Sequence, residues 1–343
     1  MKLKKPKSPE VSIVVLNFNG REHLRKFLES ARRQSFKNFE VIVHDTLSKD
    51  GSLEMLEKEF PEAKVIHSDV NFGVSKSYNL GAEQAKGRYV ATLANDMVLD
   101  KDWVREMVNA LKSDANAAAA GCYINNKTEG YYKGEQCYGF YMDILGNPLT
   151  LHQATPGYVF SSAGVMFKKG LVGKPYDDEY FFSGDEIYIG WKVLLMGYRT
   201  VQANKAKLLH EGRASRRASD FVEFHGEKDK YLNLFIFYAT PTLLKLLPLI
   251  AANMLITTVT SIFSGRIRVR LKSYLWLITH LGLIARKRSE VQKLRKAGER
   301  DVLKYVCAKT PYDLGPLKPI VDKLLLLYCW LLRIPVRELQ VNH

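Results

Sequence analysis

Apolar and polar positions switch between two periods over the first 125 residues of the chain. Val11 to Asn17 (VSIVVLN) is a continuous apolar run, as in a parallel strand buried on both faces. Arg21 to Gln34 carries Leu24, Phe27, Leu28 and Ala31 at the i, i+3, i+4, i+7 spacing of a helix with one buried stripe. The alternation then repeats. Phe39 to Asp45, Lys64 to Ser68, Arg88 to Ala94 and Ala117 to Ile124 read as strands, and Gly51 to Phe60, Ser75 to Lys86 and Lys101 to Ser113 as helices. This order predicts an α/β doubly wound sheet, with ligands bound beyond the carboxyl ends of its strands.

Those strand ends carry polar residues: Asn17 and Asn19 after the first, Asp45 after the second, Asn71 and Gly73 after the third, Asn95 and Asp96 after the fourth. Turn chemistry accounts for any one of them. Four in succession point to a site. After the first strand the chain reads NFNGREHL instead of GxGxxG, and it has no GxxxxGK[ST] loop, so neither a dinucleotide cradle nor a P-loop is expected. A nucleotide held by an Asp at base or ribose, with its diphosphate near a metal-bound Asp, fits this set better.

A second concentration of chemistry spans residues 180–210. Asp185 and Glu186 follow Ser183-Gly184 and open a helix that Ile187, Ile189, Trp191, Leu194 and Leu195 bury and Gly197 stops. Two short strands, Arg199 to Ala203 and Ala206 to Leu209, then deliver His210 to a strand end. The acidic pair either complements the helix dipole or supplies a catalytic base at the helix start.

The segments VSIVVLNFNG, FEVIVHDTLSKDGS, NFGVSKSYNLGA, GRYVATLANDMV, FFSGDEIYIGWKVLLMGYR and LLHEG resemble, in order and spacing, the inverting glycosyltransferases of family 2. Within that family the similarity is to the rhamnosyltransferase-like branch that extends cell-surface polysaccharides, and it covers roughly residues 9–215. The resemblance implies a GT-A fold, a Rossmann-like nucleotide-sugar-binding half fused to an acceptor-binding half. The catalytic domain is then expected over 1–225, and a helical, basic and apolar membrane-associated region over 226–343.

Residue by residue, the resemblance implies that Asp45 contacts the nucleobase with Asn17 lining the same pocket. It implies that Asp96 holds the metal of a DXD-like motif and that His210 closes over diphosphate or metal, while the strand-end position of Asn19, Asn71 and Asn95 makes them expected parts of the donor site. The general base lies in the Asp185-Glu186 pair, with the family's second acidic position favouring Glu186. Three departures stand out. HDTLSKDGS replaces the usual VDNASTDGS, placing Thr46 and Leu47 beside the base; Ala94-Asn95-Asp96 has one carboxylate; and Asp-Glu replaces Glu-Asp, with Tyr188 where a further Asp is common. Arg213, Arg216 and Arg217 either clamp the diphosphate as a lid or form a solvated basic loop.

Such chemistry needs these residue types. A departing nucleoside diphosphate leaves charge that a divalent cation on a carboxylate neutralises, and Mg²⁺ or Mn²⁺ suits an oxygen site. A carboxylate on the other side takes the proton of the acceptor hydroxyl. The expected partners are a UDP, dTDP or GDP sugar and a glycan or lipid-linked acceptor. A non-catalytic relative that binds a nucleotide sugar or scaffolds glycan assembly is the rival reading, given the altered acidic motifs.

Charge adds a location. Lys and Arg total 51 against 36 Asp and Glu, a net +15, and residues 266–300 hold eleven Lys or Arg against two Glu. Leu246 to Phe263 is eighteen residues without a charge, either a minimal membrane span or an interfacial segment. Arg266 to Arg288, interleaved with Tyr274, Leu275, Trp276 and Leu277, reads as a helix on the anionic cytoplasmic leaflet of the cell membrane. Because the positive charge lies beside apolar runs and not in a nucleic-acid motif, no nucleic acid partner is expected. Cys122, Cys137, Cys307 and Cys329 have neither zinc nor disulfide-framework spacing and read as reduced thiols. Met1 to Lys7 leads into the first strand without a signal-peptide h-region. In the connection 125–157, Tyr131, Tyr132, Tyr138, Phe140 and Tyr141 either stack on an acceptor sugar or cover the sheet.

Overall fold

The computed structural model describes residues 8–126, 136–151, 164–182, 184–212, 220–312 and 314–337. The described elements begin with β1 (Val11–Asn17), α1 (Arg21–Arg32), β2 (Phe39–Thr46), α2 (Ser52–Glu59), β3 (Lys64–Ser68), α3 (Gly73–Gln84), β4 (Tyr89–Ala94), β5 (Met97–Leu99), α4 (Trp103–Ser113) and β6 (Ala117–Asn126). They continue with β7 (Gln136–Cys137), β8 (Phe140–Asp143), β9 (Pro148–Thr150), β10 (Val165–Lys168), α5 (Lys169–Val172), α6 (Asp185–Leu195) and β11 (Arg199–His210). The last are α7 (Asp220–Phe237), α8 (Thr240–Phe263), α9 (Ile267–Thr279), α10 (Leu281–Lys293), α11 (Glu299–Leu303), β12 (Val306–Cys307) and α12 (Lys318–Leu331). They fall into two compact units. Of the described residues, the first gathers those within 1–139, 151–193 and 198–217, the second those within 140–150, 194–197 and 218–343.

The first unit is built on a sheet of order β3-β2-β1-β4-β10-β6-β11-β5, with β7 on β6. The apolar run of β1 sits between β2 and β4, parallel to both, and Val11, Ile13, Val14 and Val15 have no exposed surface. The stripe of α1 is buried as its spacing requires. Helix α3 lies directly on β1, for a Cβ at Gly81 would stand 2.2 Å from Val14 Cγ1. Only glycine permits that approach.

The alternation predicts parallel strands, and the sheet is instead mixed. Strand β10 runs antiparallel between β4 and β6, and β5 antiparallel to β11. An antiparallel strand needs no crossover helix, and a four-residue VMFK is too short for its period to be read. Residues 199–210 also differ from expectation. They form one strand, with a register slip between Ala203 and Lys207 that absorbs the basic turn.

In the second unit β12, β8 and β9 form a small sheet. The β8–β9 turn is closed by Asp143, whose Oδ1 accepts from Leu145 N at 2.8 Å and Asn147 N at 2.7 Å. Burial pushes that carboxyl up to about 6, against these hydrogen bonds. The aromatics expected in this connection divide. Tyr138 packs on Tyr123 at 4.8 Å between ring centroids and Tyr141 is buried, while Tyr131 and Tyr132 lie outside the described residues. The uncharged run 246–263 is the greater part of α8, a 24-residue helix that contains Pro248.

Candidate functional site

In the first unit a cleft of about 320 Å³ opens at the carboxyl ends of the parallel strands. It sits where the strand order turns back, between β1 and β4, the point at which open α/β sheets bind ligands. Three of the polar strand ends meet there. Asn95 Nδ2 donates to Asn17 Oδ1 at 2.5 Å, and Asn17 Nδ2 donates to Asp45 Oδ2 at 2.7 Å, tying β4, β1 and β2 together. Asn95 and Thr46 line the cleft, whereas Asn17 and Asp45 have no exposed surface and lie beneath it. Asp45 Oδ1 also accepts from Ser48 N at 3.3 Å and stands 3.4 Å from His67 Nδ1 on β3.

The loops above this network are held in uncommon conformations. Leu47, which replaces a small polar residue of the family pattern, has φ 56°, and its N–H donates to Ser68 O at 2.9 Å. A non-glycine residue there costs about 1–2 kcal/mol. Asn19, at φ 47°, accepts from Lys49 N at 2.8 Å and donates its own N–H to Ser48 Oγ at 2.9 Å. It shapes the loop and does not line the cleft. Asn71 does line it and closes the turn into α3, accepting from Gly73 N at 2.9 Å.

Asp96 and His210 face each other across the cleft wall, Oδ1 to Nε2, at 3.4 Å, and are 4% and 15% exposed. Backbone pairing fixes both. His210 pairs with Met97 in the β11–β5 ladder, and Glu211 N donates to Asp96 O at 2.9 Å. Glu211 then anchors this strand end to α1, accepting from Lys26 Nζ at 2.8 Å beside His23 Nδ1 at 3.2 Å. The bond from Lys26 holds the Glu211 carboxyl below the usual carboxylate range. Among the described residues no group of three His, Cys, Asp or Glu side chains converges on a metal position. The Asp96 carboxylate nonetheless fits a Mg²⁺- or Mn²⁺-type ion, which keeps waters and takes substrate phosphates as ligands, and the imidazole beside it suits a transition metal better than Mg²⁺.

The acidic pair closes the other wall. Gly184, at φ 84°, turns the chain into α6, and both Asp185 and Glu186 line the cleft. Asp185 is 5% exposed and Glu186 is half-buried. Phe181 and Phe182 line it too. Val74 N donates to Phe181 O at 2.7 Å, and a Cβ at Gly73, φ 77°, would stand 2.3 Å from that oxygen, so α3 and the FFSGDE segment touch through glycine. Burial, then Asp185, then Tyr176, Glu186 and Asp96, pushes the Tyr78 phenol well above its ordinary value. Asp96, Asp185 and Glu186 all line the cleft, and such a set of carboxylates suits a cation, or a substrate brought with one.

Tyr78, Phe181 and Phe182 carry no polar strand-end signal, and sequence reasoning gave them no role. The aromatic pair directly before the acidic pair was the available cue. Arg213, Arg216 and Arg217 lie outside the described residues.

With this geometry in place, residues 12–171 match the family model described as glycosyl transferase family 2. An uncharacterised glycosyltransferase of Rickettsia prowazekii is 30% identical over 203 residues, 55% of this chain and 63% of that protein. Glycosyltransferase GlyA of Streptococcus pneumoniae is 26% identical over 221 residues, 60% of this chain and 32% of that one. The chain thus spans less than two thirds of the length of these relatives. The crystal structure of S. aureus TarS 1–349 in complex with UDP superposes with a TM-score of 0.53 at 16% identity, covering 92% of this chain and 87% of that one. At that identity the likeness is one of fold, and the fold is the GT-A type of α/β protein.

Proposed function

We propose that this chain is a glycosyltransferase of family 2. It moves a sugar, with inversion, from a nucleoside diphosphate sugar to a hydroxyl of a lipid-linked or cell-surface glycan. The single observation that supports this best is the cleft itself. A carboxylate–imidazole pair, Asp96 and His210, stands on one wall and the Asp185-Glu186 pair on another, at the switch point of the sheet. The family 2 match over 12–171 and the GT-A fold support the same reading. Because TarS is a structural neighbour solved with UDP and with UDP-GlcNAc, UDP heads the candidate donors, ahead of dTDP and GDP. The rhamnosyltransferase-like resemblance makes a deoxyhexose or hexose the transferred sugar.

In this reading the donor's base lies over the Asn17–Asp45 pair, with Asn71 and Asn95 along its path. Asp45 is fully covered, so base contact requires the strained Thr46–Ser48 turn to yield. The diphosphate lies toward Asp96 and His210, which would hold a divalent cation. Bound there, Mg²⁺ or Mn²⁺ would supply charge neutralisation for the leaving diphosphate. Glu186, the more exposed member of its pair, takes the acceptor hydroxyl's proton. Asp185, buried beside Tyr78, orients that wall and keeps the field negative.

Calorimetric titration with UDP, dTDP and GDP tests the donor half of this reading. One nucleotide is expected to bind clearly better than the other two. Asp45→Ala should weaken it roughly 10–100-fold, the worth of a hydrogen bond to a charged group. Equal, weak binding of all three, unchanged by Asp45→Ala, would remove Asp45 from nucleobase recognition.

A further inference from the structure

We propose that the second unit seats in the surface of an anionic lipid bilayer, with α8, α9 and α12 lying in the membrane plane and their apolar faces in the lipid. This stands apart from the reading of the cleft. What carries it is a local inversion around the second half of α8, in a bundle whose α7 and α10 bury Leu232, Leu234, Ile236, Phe237, Ile284 and Val291 in the ordinary way. Where the second half of α8 meets α7 and α9, the buried positions of α8 are polar. Asn253 donates to Tyr231 Oη at 2.8 Å, Thr257 shares a 2.8 Å hydrogen bond with Tyr274 Oη, and Ser261 Oγ accepts from Arg270 Nε at 3.1 Å. Charges fill the same interior. Arg270 pairs with Glu227 at 2.5 Å and Glu223 at 3.3 Å, and Arg266 with Glu223 at 2.6 Å.

The outward face of α8 is the opposite. Leu255 is 66% exposed, Ile256 60%, Ile262 58% and Phe263 86%. Helix α9 adds exposed Leu271, Leu275 and Ile278. Helix α12, tied to α8 by Tyr328 Oη donating to Lys245 O at 2.6 Å, adds Ile320, Leu324, Leu327 and Trp330. A water-facing bundle buries its leucines and exposes its ion pairs, and apolar exposure on this scale marks a binding surface. Paired polar groups inside and apolar side chains outside suit helices whose solvent is lipid.

Charge selects the occupant. Residues 240–293 carry nine Lys or Arg against one Glu, and Arg268 and Lys272 lie exposed on α9 among its outward leucines. Anionic head groups satisfy both features at once. A second copy of this chain would bring like charges together across the same face. Geometry selects the pose. Among the described residues α8 is the one helix long and apolar enough to cross a membrane, and its 24 residues span about 36 Å. A crossing α8 would draw Glu223, Glu227 and Arg270 into the hydrocarbon with it, whereas a flat α8 keeps them on its water side.

Flotation of the full chain with phosphatidylcholine vesicles, with and without phosphatidylglycerol, tests the surface. The protein is expected to float with the anionic vesicles at low salt and to be partly released by high salt. Leu255→Glu with Ile256→Glu should lower the bound fraction at least ~10-fold while leaving circular dichroism unchanged, because both side chains are exposed. Brominated lipids test the pose. Trp103 and Trp191 are fully buried, so quenching reports on Trp330 and Trp276, and bromines near the head group should quench more than bromines near the bilayer centre. Trp330→Phe should remove most of that quenching. A wild-type protein that stays at the bottom of the gradient at low salt, or a double variant that floats as well as wild type, overturns the surface. So does a concentration-dependent dimer that the double variant abolishes. Stronger quenching by the deep bromines overturns the in-plane pose.

Discussion

Replacing Glu186 by Gln is expected to lower sugar transfer roughly 10²–10⁴-fold, the range for loss of a general base, with donor affinity nearly unchanged. Glu186 and Asp185 are consecutive in the first turn of α6 and point about 100° apart. In the proposed reading they do different work for that reason. Glu186 keeps access to solvent, from which an acceptor arrives, while Asp185 is 5% exposed and is the first charge felt by the buried Tyr78 phenol. Asp185→Asn should therefore weaken the negative field of the cleft and the donor's hold, with a smaller direct effect on the chemical step. Single-turnover transfer read beside donor titration separates the two outcomes. Equal and mild losses in both variants would remove base catalysis from this pair.

Replacing Asp96 by Asn is expected to lower turnover by about 10²–10³-fold, the scale for removing one preorganised group that stabilises developing charge. Stimulation by Mn²⁺ or Mg²⁺ should disappear with it. Asp96 is the sole carboxylate of Ala94-Asn95-Asp96, so no neighbour in that motif substitutes. The variant should fold, because the hydrogen bond from Glu211 N to Asp96 O is made by backbone atoms and survives the substitution. Comparing both proteins across a metal titration checks the expectation. Wild-type activity that survives a chelator, with Asp96→Asn equally active, would take this residue and the metal out of the mechanism.

The parallel half of the sheet was legible because β1, β2 and β4 are buried on both faces and α1 and α4 draw clean stripes. Asn17, Asp45, Asn95 and Asp96 were found by one rule, that strand ends at a switch point bear ligands. The linkage among the first three was not legible. It depends on which strands are neighbours, and β1 lies between β2 and β4 only in the folded sheet. Strands β10 and β5 escaped because four and three residues give no period and antiparallel insertion leaves no helix as a marker. The C-terminal half was legible in part. Its apolar run read as a span or an interfacial segment, and which side of α8 is polar became visible only where Asn253, Thr257 and Ser261 meet Tyr231, Tyr274 and Arg270. One turn of helix separates those positions, yet Asn, Thr and Ser among leucines and isoleucines dilute into the average.

Under the proposed function the cleft binds and breaks a nucleoside diphosphate sugar. Release of nucleoside diphosphate from UDP-, dTDP- and GDP-sugars, with and without Mn²⁺, tests it most directly. Metal-dependent release from one donor class is expected, rising when a glycan acceptor is supplied and lost in both Glu186→Gln and Asp96→Asn. A folded protein that binds the nucleotide but releases no diphosphate from any donor, with acceptor and metal present, would contradict catalysis and leave a nucleotide-sugar-binding relative in its place.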